Sequence, residues 1–274
     1  MKVENHFVGD VFARRYTTDQ PRYALVISHG IGGHGGIYDK FCSFHAQRGV
    51  DIWAYDAPGH GKSTPNRPRG TFTIEEWAQA SRDLSEHVKE MTGLPVFTLG
   101  SSYGVAAAIS ARDHVAIEGV ICMGSIAVPG SAIVASMTEF WRSDAIQKVI
   151  EQVGRAARLD IDKLIDFDED YGQKGAKEIK LKDSYNTWSY DLASWVSFFN
   201  YEPPQPLGEN AKPILYAYGS DDPNFPEGAV EMVASEISGP VTIKRFEDAG
   251  HQLMMFNTEE FSNSVDEFCL SIIA

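Results

Sequence analysis

The chain has 274 residues, of which 43% are hydrophobic and 23% charged, a composition typical of a folded protein with a substantial core. It carries 24 basic and 38 acidic residues and a formal charge of −14, which argues against nucleic acid or an anionic membrane surface as a partner. No apolar run approaches the roughly 18 residues of a membrane span, and the first residues lack the apolar region of a secretory signal peptide.

Three cysteines occur in the chain: Cys42, Cys122 and Cys269. They lie far apart, and no Cys-x-x-Cys pair is present to bind zinc or to carry out thiol exchange. A disulfide framework is therefore not expected, and this favours a reducing, cytoplasmic location.

Strand-like and helical patterns alternate along most of the chain. Residues 3–18 predict an opening β-hairpin, and later apolar runs are typical of strands buried on both faces of a mostly parallel sheet. These predicted strands are Tyr23–His29, Val50–Asp56, Pro95–Gly100, Gly119–Gly124, Pro213–Tyr218 and Pro240–Phe246. Thr73 and Glu76 predict a capping box at the start of one intervening helix. The alternation predicts an α/β fold.

The alternation stops after Ile126. About eighty residues without a convincing strand follow, which is too long for an ordinary connection. We therefore predict that residues 126–207 form an inserted helical cap, and that residues 1–125 and 208–274 form the α/β core. Within the cap, Trp188 begins a series of apolar residues at helical spacing that predicts one continuous helix face.

Two glycine-rich segments resemble nucleotide-binding motifs. Gly30–Gly35 reads G-x-G-x-x-G after a strand, with Asp56 at the end of the next strand, as in an NAD-dependent oxidoreductase. Gly59–Ser63 ends like a P-loop, but Pro65 and Pro68 follow at once and prevent the helix that would bind phosphate. The first motif therefore remains an alternative, and the second is rejected.

A third motif, Gly100-Ser101-Ser102-Tyr103-Gly104, lies between a predicted strand and a run of small helical residues. This strand–turn–helix context is the one in which G-x-S-x-G presents a nucleophilic serine, because a side chain at either flanking glycine would clash. Ser102 is therefore the candidate nucleophile.

A serine nucleophile needs a histidine base that is held by a carboxylate. In this type of fold the acid and then the base follow the serine along the chain. Seven of the eight histidines lie at or before position 114, which leaves His251, directly after the last predicted strand. Asp221 and Asp222 both follow a strand end and are equal candidates for the acid, and Asp248 is a weaker third.

The oxyanion of an acyl-transfer reaction needs preorganised N–H donors. The backbone N–H of Tyr103, the residue after the nucleophile, supplies one donor, and that of Ile31 in the glycine-rich turn supplies another. The G-x-G-x-x-G turn then serves close approach to an oxyanion instead of a pyrophosphate. Only a serine hydrolase also accounts for Ser102 and His251, so we prefer it to the oxidoreductase.

Several segments together resemble the α/β-hydrolase superfamily, and within it the serine hydrolases related to monoacylglycerol lipase and lysophospholipase. The matching segments are His29–His34 with Tyr38, similar to H-G-x-G-x-H-x-x-x-Y; Tyr55–Ser63, similar to Y-D-x-x-G-H-G-x-S; Gly219-x-x-Asp222 with Pro226, similar to G-x-x-D-x-x-x-P; and Gly250–His251. The resemblance covers residues 20–125 and 210–274 and implies an α/β-hydrolase fold with a cap.

The resemblance also implies a role for each matched residue. Ser102 would be the nucleophile, Asp222 the acid and His251 the base, with the amides of Ile31 and Tyr103 as the oxyanion hole. The match to G-x-x-D-x-x-x-P selects Asp222 over Asp221 as the acid. The implied activity is hydrolysis of a carboxylic ester of a small apolar or aromatic molecule through an acyl-enzyme.

The substrate remains open at this point. The segment around the candidate nucleophile differs at Ser101, Tyr103 and Val105 from the sequence G-H-S-M-G-G that is typical of the resembled group. The same triad also serves thioesterases, amidases, lactonases and C–C hydrolases. A non-catalytic ligand-binding protein on this scaffold is a further alternative. The cap aromatics, among them Trp141 and Trp195, are expected mainly to form the core of the cap, and otherwise to line a pocket.

No metal or cofactor is predicted. Asp166-x-Asp168-x-Asp170 begins like a calcium loop, but Tyr171 and Lys177 occupy its glycine and glutamate positions, so an acidic surface loop is expected. The histidines in the glycine-rich turns, namely His29, His34 and His60, are expected to form structural hydrogen bonds. The oligomeric state is not predicted.

Overall fold

An eight-stranded, mostly parallel sheet forms the centre of the molecule, in the order β1-β2-β4-β3-β5-β6-β9-β10. The computed structural model describes residues 1–274 except for the side chain of Met137. The strands are β1 (Lys2–Val8), β2 (Val11–Thr17), β3 (Tyr23–Ser28), β4 (Val50–Tyr55), β5 (Val96–Ser101), β6 (Ile117–Met123), β7 (Arg158–Asp160), β8 (Ser189–Asp191), β9 (Ile214–Gly219) and β10 (Val241–Phe246). The strands from β3 to β10 in this sheet pair in parallel, whereas the β1–β2 hairpin is antiparallel and joins β4 at one edge.

Helices cover both faces of the sheet. They are α1 (Asp39–Ala46), α2 (Ile74–Thr92), α3 (Gly104–Ser110), α4 (Ala132–Trp141), α5 (Asp144–Val153), α6 (Phe167–Asp170), α7 (Ala176–Lys182), α8 (Leu192–Asn200), α9 (Ala229–Ser235), α10 (Leu253–Phe256) and α11 (Thr258–Ile273). The helices α1 and α11 pack on one face, and α2, α3 and α9 pack on the other. The predicted α/β class is confirmed, and each strand predicted for the parallel part of the sheet lies within two residues of its expected bounds.

The start of α2 shows how local sequence sets a helix boundary. Glu76 N donates to Thr73 Oγ1 at 3.1 Å, and Thr73 N donates to Glu76 Oε2 at 2.9 Å, so the predicted capping box is formed. Two free amides of the first helical turn are satisfied in this way. At the other end Gly93 adopts a left-handed conformation, with φ of 68°, and terminates the helix.

The segment 126–207, which we call the cap segment, contains α4 to α8 and a small antiparallel sheet of β7 and β8. The prediction of one helix face beginning at Trp188 is wrong, because β8 follows Trp188 and α8 begins only at Leu192. Asp191 sets this boundary by accepting a hydrogen bond from Ser194 N at 2.7 Å. The small sheet was not predicted, since strands of three residues carry too little periodicity to be recognised.

None of the described helices has both the length and the apolar character that a bilayer-crossing helix requires.

A buried polar cluster joins β3, α1 and α11 below the sheet. Tyr23 donates to Asp266 Oδ1 at 2.8 Å and therefore accepts from His45 Nε2 at 2.9 Å. His45 Nδ1 is then left to accept from the hydroxyl of Ser262. His45 is thus fully hydrogen-bonded as a neutral ring, and burial lowers its pKa to about 4 despite the opposing charge of Asp266.

This buried neutral histidine predicts a loss of stability in mild acid. Between pH 6.5 and 5 the unfolded chain takes up a proton that folded His45 does not, so the free energy of unfolding falls as pH falls. Denaturant unfolding measured at several pH values in this window should show the decrease. The His45→Gln variant should show a shallower dependence, because one of the proton uptake sites is gone. An identical slope in both proteins would contradict this assignment.

Candidate active site

Ser102 lies in the sharp turn between β5 and α3, in the left-handed region with φ of 52°. Its backbone N–H donates to Met123 O at 2.7 Å, which fixes the turn against β6. A Cβ at Gly100 would lie 2.4 Å from Val105 Cα, and one at Gly104 would lie 2.4 Å from His29 O. Both glycines are therefore required by backbone approach, in the way that the G-x-S-x-G motif predicts.

His251 and Asp222 form a hydrogen-bonded pair beside this turn. Nδ1 of His251 lies 2.7 Å from Asp222 Oδ2, and both side chains are almost completely buried. Since Nδ1 carries the hydrogen that is donated to the carboxylate, Nε2 keeps a lone pair and can accept a proton. The other two candidate acids, Asp221 and Asp248, are exposed, and neither is bonded to His251 among the described residues.

The pKa of His251 lies above its ordinary value. Burial lowers this pKa, but the hydrogen bond to Asp222 and the charges of Asp170 and Asp222 outweigh the effect of burial. The imidazolium formed during a proton transfer is therefore stabilised. The contribution of Asp170 was not expected from the sequence, because this residue belongs to the cap segment.

Gly124 lets His251 approach the nucleophile turn. A Cβ at Gly124 would lie 3.3 Å from His251 Cε1, and the preceding residue, Met123, accepts the hydrogen bond from Ser102 N. Among the described side chains, no hydrogen bond joins Ser102 Oγ to His251. Such bonds are often long in ligand-free enzymes and shorten when substrate binds.

The predicted oxyanion donors lie next to the nucleophile. A Cβ at Gly30 would lie 3.1 Å from Ser102 Cβ, so the loop after β3 passes directly over the serine. Ile31 and Tyr103 line the same cavity as Ser102. Within the described part of the chain their backbone N–H groups are not used in hydrogen bonds, which leaves both free for an anionic oxygen.

Buried histidines and a cap tyrosine support this loop. His29 Nδ1 donates to Gly30 O at 2.8 Å, and burial lowers the pKa of His29 to about 3, so the ring is neutral. Tyr190 of β8 accepts from Gly32 N at 2.8 Å and donates to His60 Nε2 at 2.9 Å. The structural role predicted for these histidines is therefore observed, and the anchoring of the loop by Tyr190 was not predicted.

The geometry also decides between the two interpretations of Gly30–Gly35. The buried Asp56 carboxylate accepts from Arg14 at 2.8 Å, from Gly35 N at 2.9 Å and from Lys62 N at 2.8 Å. It ties the two glycine-rich turns together and is not available to a ribose hydroxyl. The dinucleotide alternative therefore finds no support in this structure.

A cavity of about 560 Å³ opens above Ser102, between the sheet and the cap segment. Of the cap aromatics, Tyr171 and Trp195 line it together with Phe167, whereas Trp141 stacks on Phe199 inside the cap segment, with ring centroids 5.3 Å apart. Some aromatic residues of the cap segment thus line the cavity, and others pack in the core of the cap segment, as the two sequence-based alternatives allowed.

The acidic series in the cap forms a helix start. Asp166 accepts from the N–H groups of Asp168 and Glu169 and so caps α6. Asp168 accepts from the amides of Gly175 and Lys177. These contacts give Asp166 and Asp168 structural roles within the cap segment.

The fold, the nucleophile turn and the histidine–carboxylate pair together define an α/β-hydrolase. The sequence profile of the family described as "Serine aminopeptidase, S33" matches residues 19–259, and the chain belongs to this family. The resemblance inferred from the motifs is thereby confirmed.

The similar proteins include lipases and esterases. The chain is 34% identical to human monoglyceride lipase over 96 residues, which make up 34% of this chain and 30% of the human protein. It is 33% identical over 95 residues to a monoglyceride lipase homologue of monkeypox virus, 33% of each protein. The chain thus spans about a third of the length of the curated relatives it matches. The carboxyl esterase of Bacillus coagulans has a TM-score of 0.80, with 100% of this chain and 99% of that chain covered, at 19% identity.

Proposed function

We propose that the protein hydrolyses carboxylic esters of small, largely apolar molecules through an acyl-enzyme on Ser102. The observation that carries the proposal is the 2.7 Å hydrogen bond between His251 and Asp222 beside the strained serine turn. Membership of the family and the similarity to monoglyceride lipases support the same conclusion.

In the acylation step, Ser102 Oγ attacks the ester carbonyl carbon while His251 Nε2 takes the hydroxyl proton. The negative charge that develops on the carbonyl oxygen is stabilised by the N–H groups of Ile31 and Tyr103, and each such donor contributes about 3 kcal/mol. The intermediate then collapses, the C–O bond to the alcohol breaks, and His251 returns the proton to the departing alkoxide. Asp222 stays ionised and holds the imidazole.

In the deacylation step, His251 removes a proton from water as the water oxygen attacks the acyl carbon. The second intermediate collapses, the bond to Ser102 Oγ breaks, and the proton passes back to the serine. The acid product and the free enzyme result.

The cavity favours a neutral substrate. Its apolar lining comes from residues such as Ile37, Ile126 and Trp195, while Asp166, Glu169 and Asp170 contribute carboxylates. No lysine or arginine lines it in the part of the chain that the structure describes. An anionic ester would therefore meet like charge without a compensating cation.

A series of p-nitrophenyl esters of increasing acyl length, with a lactone and an amide tested alongside, examines the proposal. We expect turnover of the esters, with kcat/KM changing with acyl length as the cavity fills, and slower turnover of the amide. Faster turnover of the lactone or amide would assign the triad to that bond instead. No turnover of any substrate would favour the ligand-binding alternative.

A further inference from the structure

Asn224 lies two residues after Asp222, between the acid and the cap segment. Its side-chain Nδ2 is 3.0 Å from Asp222 Oδ1 and 2.8 Å from Asp170 Oδ1. An amide NH₂ group has two hydrogens and can donate to both carboxylates, whereas the amide oxygen could donate to neither. The two acids therefore fix which way the amide of Asn224 points.

This arrangement controls the orientation of the Asp222 carboxylate. Its Oδ1 accepts from both the backbone N–H of Asn224, at 2.9 Å, and the side-chain amide. Its Oδ2 is consequently left to face His251 Nδ1. Nδ2 of Asn224 also lies 3.4 Å from His251 Nδ1, but that nitrogen already carries the hydrogen donated to Asp222, so this contact is not a further hydrogen bond.

We propose that Asn224 is a positioning residue for the acid–base pair, and that Asp170 of helix α6 holds Asn224 in its productive orientation. The cap segment thereby contributes to the geometry of the triad as well as to the cavity wall. The inference rests on the proposed function, since it assigns a role in proton transfer by His251.

The charges around His251 should have a measurable effect on the pH dependence of catalysis. The charged groups that face His251 are Asp222, on the loop after β9, and Asp170, on α6 of the cap segment, and both raise its pKa against the effect of burial. Catalysis requires the neutral ring, so the acid limb of the kcat/KM profile follows this pKa. Removing the charge of Asp170 should therefore move the acid limb to lower pH.

Glu169 provides a matched control. It lies next to Asp170 on α6, is exposed, lines the same cavity and carries the same charge, but it makes no hydrogen bond to Asn224 among the described residues. We expect Asp170→Asn to shift the acid limb to lower pH, and Glu169→Gln to leave it in place. We expect Asn224→Ala to lower kcat about tenfold with little change in KM, the effect of one lost orienting hydrogen bond.

The variants Asp170→Asn, Glu169→Gln, Asn224→Ala and the double variant Asp170→Asn/Asn224→Ala should be compared on one p-nitrophenyl ester over the full pH range. If Asp170 acts on kcat through Asn224, the double variant loses no more kcat than Asn224→Ala alone. Equal acid-limb shifts in Asp170→Asn and Glu169→Gln, or unchanged kcat in Asn224→Ala, would overturn the proposal. Because Asp170 is partly exposed, we expect Asp170→Asn to fold. Its pH profile therefore still tests the proposal if Asn224→Ala does not fold.

Failure of this inference differs from failure of the proposed function. In the first case ester turnover still depends on Ser102, but Asp170→Asn moves the acid limb no more than Glu169→Gln does, or Asn224→Ala leaves kcat unchanged. In the second case turnover persists in Ser102→Ala, whatever the pH profile.

Discussion

Replacing Ser102 with alanine should reduce kcat for ester hydrolysis by about 10⁶-fold, the loss seen when a triad nucleophile is removed. Without the hydroxyl the proposed acyl-enzyme on Ser102 does not form, while the proposed oxyanion donors, the amides of Ile31 and Tyr103, are left in place. Initial rates on a short-chain p-nitrophenyl ester, together with circular dichroism to verify folding, measure the effect.

Ser101 is the matched control for this experiment. It directly precedes the nucleophile as the last residue of β5, is fully buried and, unlike Ser102, does not line the cavity. Ser101→Ala should retain turnover within a few-fold of the unmodified protein. Undiminished turnover by a folded Ser102→Ala protein would contradict the role of Ser102.

The second large effect is expected at the nucleophile turn. A Cβ at Gly104 would lie 2.4 Å from the backbone oxygens of both Ser28 and His29. Neither oxygen can move without displacing the end of β3, the central strand that leads into the loop with Ile31. We expect Gly104→Ala to destabilise the protein by about 3 kcal/mol or more, at the upper end of overpacking effects.

Gly208→Ala tests whether this cost comes from the clash. Apart from its chain neighbours and the backbone of its own helical turn, no atom lies within 4 Å of a Cβ built at Gly208, and its φ is not positive. Its midpoint in urea unfolding should remain close to that of the unmodified protein, and the midpoint of Gly104→Ala should fall sharply. Equal midpoints for the two variants would show that β3 tolerates the side chain.

The parts of the fold that the sequence predicted are those set by local chemistry. The capping box of Thr73 and Glu76 and the glycines around Ser102 depend on neighbours a few residues away, and continuous apolar runs mark buried parallel strands. The candidate base could be chosen from the sequence because a single histidine, His251, follows the serine-bearing half of the chain.

The choice of acid required more than local sequence. Asp221 and Asp222 are adjacent in one loop, and whether a side chain faces His251 depends on how the β9 loop packs against the loop after β10. The motif resemblance selected Asp222, and in the structure Asp222 is the one hydrogen-bonded to His251, whereas Asp221 accepts from the hydroxyl of Ser220.

The cap segment was the least predictable region for a physical reason. The strands β7 and β8 are three residues each and pair with one another across the intervening α6 and α7. Tyr190 and Asp170 contact residues that are far away in sequence, so no sequence spacing predicts these contacts. Asn224 likewise carries no motif of its own.

Covalent labelling tests the central claim most directly. A fluorophosphonate reacts with a serine whose hydroxyl is activated by a histidine base, and mass spectrometry locates the adduct. We predict one adduct per chain, on Ser102, with no labelling of Ser102→Ala and much slower labelling of His251→Ala. An adduct on another residue, or an unlabelled protein that still hydrolyses esters, would contradict the assignment of Ser102 as the nucleophile.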